Sequence, residues 1–475
     1  MSESELPTPT MMAEAPVRNL PETIMDREDR LTRGFVDKVL DAVEAGDNET
    51  ARALVEPLHP ADIADLIELA QADEREGLVA ALAGIVDADV IAELNDHVRE
   101  LLIDEMEPQQ VADLIGQLDT DDAVALIEDL EDDEQRAVLR AMEPDDRAAI
   151  EEALSYPEES AGRMMQRDLI AVPEHWTVGQ VIDYLRSGDE LATDFWEVFV
   201  VSPTHHPVGT CKLSAILRSD RGQAVTSIMA EEQTLIPAGM DQEEVALRFQ
   251  KYALISAAVV DPAGRLVGMI TVDDVVHIIQ EEAGEDVLLL SGAGDGDINE
   301  PILETVRTRL TWLVINLGTA IIAASVVGLF QKEIGRFALL AVLMPIVSGM
   351  GGNAGTQTLA VVVRALATNQ LTSSNSVRMI GREFRIALAN GLSLGLVIGV
   401  GAALVFDNLL LGEVIGAAMI INNLVAGLAG ILVPVTLEKF DIDPAVSSAV
   451  FVTMATDVMG FFSFLGLAAL TGLSG

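Results

Sequence analysis

A chain of 475 residues with 76 acidic and 29 basic side chains carries a formal charge of −47. A surface that negative repels phosphates and excludes nucleic acid as a partner, and the one cysteine, Cys211, excludes an intramolecular disulfide and suits a reducing compartment. The charge is uneven: residues 300–475 hold ten acidic and nine basic residues, which leaves 66 of the 76 acidic and 20 of the 29 basic ones in 1–299. An acidic soluble part thus precedes a neutral, very apolar one. Of the basic residues 24 are Arg and five Lys, the Lys-poor surface of a protein adapted to salt. Acidity alone therefore marks no metal site, although a dense negative surface also attracts cations.

Residues 1–30 are polar and proline-bearing, without the apolar run of a signal peptide, and read as a disordered tail. From 31 to 154 apolar residues recur at three and four spacing, as at Ile63, Leu66, Ile67 and Ala70. Pro60-Ala-Asp-Ile-Ala-Asp-Leu-Ile is echoed by Pro108-Gln-Gln-Val-Ala-Asp-Leu-Ile, and Asp121-Asp-Ala-Val-Ala-Leu-Ile follows. Pro or Asp suits a helix N-terminus, so this region reads as an α-helical, superhelical N-terminal domain of short helix pairs.

From 155 to 290 the pattern becomes mixed and repeats itself. Met165, Val172-Pro173 and Val181 recur as Met229, Ile236-Pro237 and Val245, at a spacing of 64. Val200-Val201 and Val208-Gly209 recur as Val259-Val260 and Val267-Gly268, at a spacing of 59. The difference places an insertion near Ser187–Thr193 in the first copy. Each copy reads strand, helix, strand, strand, helix. This resembles a tandem α/β pair of cystathionine-β-synthase (CBS) domains, regulatory modules that bind adenine nucleotides or metal ions. Gly268-Met-Ile-Thr271-Val-Asp-Asp274 resembles that family's ribose-contacting stretch, which makes Thr271 and Asp274 the expected contacts for ATP or another adenine nucleotide.

Residues 291–309 begin with the flexible Ser291-Gly-Ala-Gly-Asp-Gly and continue as an amphipathic linker helix. Five apolar stretches follow within 310–475: 310–330, 337–363, 386–406, 409–435 and 445–472. Each is long enough to cross about 30 Å of hydrocarbon as a helix. With the soluble part inside, the inner loops carry Arg307, Arg309, Arg364, Arg378, Arg382, Arg385 and Lys439, and the outer loops only Lys332 and Arg336. This bias puts the N-terminus in the cytoplasm and the C-terminus outside. Gly391, Gly395 and Gly399 lie on one face of the third span and mark close helix packing.

Asp457 is the acidic residue expected deep in a span, where a carboxylate costs roughly 3 kcal/mol unless it meets water, a cation or a partner. The other intramembrane polar groups, with Asn353, Gln357 and Thr453 as candidate pore liners, offer oxygen ligands, and no His or Cys follows residue 299. Zinc or copper would call for imidazole or thiolate. A carboxylate holding a hydrated ion suits a hard cation such as magnesium, though this chemistry leaves manganese, calcium and sodium open. No Walker loop, zinc signature or nucleophile–base spacing points to an enzyme.

The order of these parts resembles the MgtE family of magnesium channels over residues 31–475. The most specific stretches are Pro345-Ile-Val-Ser-Gly-Met-Gly-Gly-Asn353-Ala-Gly-Thr-Gln357, Asp441-Ile-Asp443-Pro444-Ala and Thr453-Met-Ala-Thr-Asp457-Val-Met-Gly460. The resemblance implies a multidomain membrane protein in a plasma or inner membrane bilayer. It implies a homodimer with a pore on its two-fold axis, Asp457 as selectivity residue, Asp443 near the cytoplasmic mouth and the linker helix as a plug. It also implies regulatory Mg2+ between the soluble domains, at Asp89 and Asp121 of the helical domain and at Asp241, Glu243, Asp274, Glu282, Glu285 and Asp286 of the CBS pair. Ala125, Ala253 and His277 stand where the family pattern has carboxylates, Ser447 where a Pro is usual and Gly427 where an Asn is common. The expected mechanism is a magnesium channel closed by cytosolic Mg2+. The rivals are an ion-coupled secondary transporter of a divalent cation and a membrane-anchored sensor that transports nothing.

Overall fold

The structure, a computed structural model, describes residues 24–27, 30–104, 106–128, 130–187, 195–291, 302–372, 374–440 and 442–473. The tail before residue 24, the insertion at 188–193 and the glycine-rich linker lie outside them. The chain forms two compact units that part between Val276 and His277.

The first unit begins with ten short helices: α1 (Arg33–Glu44), α2 (Asn48–Val55), α3 (Pro60–Leu69), α4 (Ala72–Ala81), α5 (Ala88–Ala92), α6 (Asp96–Ile103), α7 (Pro108–Ile115), α8 (Thr120–Glu128), α9 (Asp132–Ala141) and α10 (Pro144–Ala153). Start signals keep them short. Proline opens α3, α7 and α10, and the side chains of Asp47, Asp87 and Asn95 cap α2, α5 and α6 by accepting from backbone N–H groups. The sequence echo becomes one buried face repeated: Ile63, Ala64, Leu66 and Ile67 in α3, Val111, Ala112 and Ile115 in α7, Ala123, Val124, Leu126 and Ile127 in α8. All of them enter a single core.

Two copies of one motif follow: β1 (Ala171–Pro173), α11 (Val178–Ser187), β2 (Glu197–Val201), β3 (Pro207–Lys212) and α12 (Leu213–Arg218), then β4 (Leu235–Pro237), α13 (Gln242–Tyr252), β5 (Ser256–Val260), β6 (Leu266–Thr271) and α14 (Val272–Ser291). Each sheet has a parallel pair and an antiparallel pair, in the orders β1-β2-β3 and β4-β5-β6. The spacings of 64 and 59 reappear as register: Val172 pairs with Val200 and Ile236 with Val259, and both copies break register at the next residue. The copies are also interleaved. Gln166, ahead of the first copy, exchanges backbone hydrogen bonds with Met269 of the second, and Ala230, ahead of the second, exchanges them with Thr210 of the first. Gly209 and Gly268 permit this crossing, because a Cβ would stand 2.7 Å from the Ala230 carbonyl oxygen in one and from the Met165 sulfur in the other.

The second unit holds α15 (Ile302–Leu329), α16 (Gln331–Arg336), α17 (Leu339–Ala367), α18 (Ser376–Val405), α19 (Leu409–Glu438) and α20 (Pro444–Leu470). Five of these, all but α16, are long and apolar enough to cross a membrane. Two start earlier than the hydropathy pattern suggests. The expected linker helix does not stop at Arg309 but runs from Ile302 unbroken into the first span. The third span begins at Ser376 rather than 386, because helix continues through Arg378, Arg382 and Arg385 while only the later turns are apolar. The glycines of that span pack within the chain: a Cβ on Gly395 would lie 2.7 Å from the Gly416 oxygen of α19, and one on Gly412 would lie 2.4 Å from the Gly399 oxygen.

Candidate functional sites in the membrane helices and the acidic domain

Asp457 sits halfway along α20, half-buried, and accepts a hydrogen bond from the Ser348 hydroxyl of α17. One turn before it Thr453 is exposed, and on α17 Asn353, Thr356 and Gln357 are exposed as well. These oxygen-bearing side chains are exposed at mid-span on two packed helices, Asn353 and Gln357 about half a turn round α17 from Ser348. Behind it Asn422 of α19, fully buried, donates to the Val347 carbonyl at 2.8 Å and leaves its own Oδ1 without a partner. Its side chain fills the space that Gly351 of α17 and Gly460 of α20 leave, since a Cβ on either would fall within 2.8 Å of its Nδ2. The asparagine therefore fastens together the two helices that carry Ser348 and Asp457. Asp443 is exposed at the start of α20, where it caps the helix by accepting from Ala445 N at 2.7 Å.

In the first unit Asp121, at the start of α8, meets Asp274, at the start of α14. Gln166 Nε2 donates to both, at 3.3 Å to Asp121 Oδ2 and 3.4 Å to Asp274 Oδ2. Asp274 Oδ2 also accepts from the Thr271 hydroxyl at 2.5 Å, and Asp121 Oδ1 is buried without a partner. Burial, and then the charge of Asp274, push the Asp121 carboxyl up to about 8. Burial also raises Asp274, and with the charges of Asp274, Asp119 and Glu93 it carries Asp122 up to about 6, against a lowering by Arg99. Two carboxyl groups driven together out of water favour a bound proton over two charges, and a metal cation can take that proton's place. Two ion pairs brace the same interface: Arg163 with Glu128 at 2.9 Å and Arg167 with Glu152 at 2.6 Å.

Of the eight carboxylates expected to regulate, the structure thus joins Asp121 with Asp274. Asp89 is exposed in α5, and Asp241 caps α13 by accepting from Glu243 N at 2.9 Å. Glu282 and Glu285 lie on later turns of α14, and the side chain of Asp286 lies outside the described residues. Among the described residues no three His, Cys, Asp or Glu side chains converge as a metal cluster. Thr271 and Asp274, the expected nucleotide contacts, are bonded to each other.

The family model for the divalent cation transporter MgtE matches residues 344–467, that for the MgtE intracellular N domain matches 58–159, and a CBS domain model matches 225–281. The magnesium transporter MgtE of Bacillus subtilis (strain 168) is 31% identical over 316 residues, 66% of this chain and 70% of the relative. That of Enterococcus faecalis is 32% identical over 317 residues, 67% of this chain and 70% of the relative. The chain belongs to the MgtE family. Among solved structures, the cytosolic domain of the Mg2+ channel MgtE in complex with ATP aligns at a TM-score of 0.48 and 27% identity, covering 51% of this chain and 99% of that one. As an MgtE family member, the chain is a multi-pass membrane protein of magnesium transport.

Its departures from the MgtE pattern have physical readings. Ala125 and His277 are exposed, and Ala253 ends α13 with φ 50°, so three surface positions lack a carboxylate. Gly427 lets α19 approach α18, because a Cβ there would lie 2.6 Å from that of Ala387. The described residues do not include the side chain of Ser447. Sequence reasoning missed Gln166, Asp122 and Asp119. The only hint was that Asp121 belongs to a run of acids, and the cross-domain donor Gln166 carried no signal at all. It also missed Glu383, 5% exposed in α18, because the span was started too late.

Proposed function

We propose that the chain is a magnesium-selective channel that admits Mg2+ to the cytoplasm down the membrane potential and closes when cytosolic Mg2+ binds between the helical domain and the CBS pair. Asp457 carries this reading: a carboxylate at mid-span, held by Ser348, with exposed Thr453 one turn before it. Polar side chains at that depth call for water or a second copy of the chain. Two copies facing each other would ring a hydrated divalent ion with two carboxylates, as a homodimer with its pore on the axis. Asp443, exposed at the start of the same helix, would meet the ion at the cytoplasmic mouth, and Asn353, Gln357 and Thr453 would line the way between. The arginine bias supports an N-terminus inside.

Closure follows from differential binding. Without metal, Asp121 and Asp274 repel and hold the domains apart unless a proton lies between them. Mg2+ in their place offsets both charges, with the unpartnered Asp121 Oδ1 ready to accept a metal-bound water. Asp89, Asp241, Glu243, Glu282, Glu285 and Asp286 would add ions on the same principle as the domains close, and the first turns of α15 would act as the plug. Adenine-nucleotide binding at Thr271 and Asp274 rests on the CBS architecture alone, and a nucleotide there would have to displace the Asp121 contact.

The deciding experiment is rescue of a magnesium-auxotrophic cell. Wild type restores growth and Mg2+ uptake, while Asp457→Ala, expressed to the same level in the membrane, restores neither. Unchanged uptake through Asp457→Ala would remove the basis of the reading. Single-channel currents separate a channel from an ion-coupled carrier.

A further inference from the structure

A second polar feature of the membrane unit does not include Asp457 but shares Gln357 with the proposed pore liners. A cleft of about 200 Å³ opens between α17, α18 and α19 and is lined by Gln357, Thr358, Arg382, Glu383, Asn390 and Asn423 together with apolar residues. Glu383 is 5% exposed and lies about 10 Å along α18 from its first residue, at 1.5 Å per residue. Arg382, itself largely exposed, reaches one carboxylate oxygen, Oε1, at 3.3 Å. Asn423 is 1% exposed; its Nδ2 donates to the Met419 carbonyl at 2.9 Å, and its Oδ1 is buried with no hydrogen-bond partner. An ionisable group and an orphaned acceptor in one cleft of the membrane unit both call for a positively charged or donating occupant.

The donor set narrows the occupant. The carboxylate, the three amides and the Thr358 hydroxyl present oxygen, and none of the lining residues is His or Cys, so the site suits a hard cation. Arg382 already offsets the Glu383 charge, and the near-neutral site that results lacks the two or more free carboxylates that would favour a divalent ion. An anion would face Glu383. We propose that this cleft is a second cation site, separate from Asp457, that takes a small monovalent cation of the sodium type on the Glu383 carboxylate and the Asn423 Oδ1. Occupancy has a route to Asp457. Asn423 and Asn422 are consecutive on α19, and Asn422 holds Val347, the residue before Ser348. A cation drawn onto Asn423 therefore acts on the same helical turn that fastens α17 beside Asp457.

The test uses the purified full-length protein in detergent and radiolabelled sodium, with N-methylglucamine chloride holding ionic strength constant. Wild type and Asp457→Asn bind sodium saturably; Glu383→Gln and Asn423→Ala each weaken it about tenfold or more, the loss of one direct oxygen contact. Sodium also raises the unfolding midpoint of wild type, as any ligand of the native state does, and leaves that of Glu383→Gln where it was. If Glu383→Gln does not fold, Asn423→Ala and Asn390→Ala carry the comparison. No saturable sodium binding by wild type, equal binding by wild type and the cleft variants, or loss in Asp457→Asn overturns the proposal, as does displacement of sodium by an equal concentration of magnesium. Uptake of Mg2+ is measured separately, so a failure here leaves the reading of Asp457 standing and the converse also holds.

Discussion

Replacing Asp274 with asparagine should make the magnesium-free protein more stable at alkaline pH, although it removes a residue from a candidate binding site. Asp121 titrates at about 8 instead of 3.8 because burial and the Asp274 charge disfavour its ionised form. Between those two values the folded pair retains a proton that the unfolded chain has lost. Stability therefore falls as pH rises through this window, and the full penalty is present above about pH 8. The displacement corresponds to about 6 kcal/mol at most. Burial is the larger cause and the charge of Asp274 the second, so removing that charge relieves part of the penalty. The amide oxygen introduced by Asp274→Asn would still accept from Thr271 while carrying no charge. Unfolding midpoints of the full-length protein at pH 6 and pH 8.5, with and without Mg2+, read the effect. Wild type should lose stability between the two and regain it with Mg2+, and Asp274→Asn should lose less and regain less, the part of the penalty that burial of Asp121 alone imposes remaining. A variant less stable than wild type at pH 8.5 without metal, or a wild type indifferent to both pH and Mg2+, would refute the repulsion argument.

Gly395→Leu should separate α18 from α19, since even a Cβ meets the Gly416 oxygen at 2.7 Å; overpacking of this kind costs about 1–3 kcal/mol and should appear as loss of monodisperse protein on size exclusion. Asn422→Leu removes the bond to Val347 and crowds Gly351 and Gly460, and should lower Mg2+ uptake in vesicles while surface expression persists; uptake equal to wild type would separate Asn422 from permeation. Leu66→Ala, in a fully buried position of the helical domain, should destabilise the soluble half by about 2–5 kcal/mol in a denaturant titration.

Much of this was legible because it is local or repeated. The CBS copies announced themselves through Val172-Pro173 and Ile236-Pro237, and strand register reproduced the spacing residue for residue. The helix starts at Pro60, Pro108 and Pro144 were readable because proline fits the first turn, where its missing N–H leaves no bond unmade. Asp457 stood out because a carboxylate in a long apolar run conflicts with its surroundings. Glu383 did not, because arginines surround it in sequence and hydropathy averages over neighbours without seeing which side chain turns inward.

The sequence by itself determined the parts: an acidic helical domain, a doubled α/β module, and apolar helices long enough to cross a bilayer. Composition and period act over a few residues, and the chain's own hydrogen bonding and burial of apolar faces follow from them. Only the tertiary structure decided which groups meet. Asp121 with Asp274, Gln166 with Met269, and Glu383 beside Asn423 are separated widely along the chain. Their meeting depends on how whole helices and sheets pack, and no short stretch of sequence encodes it.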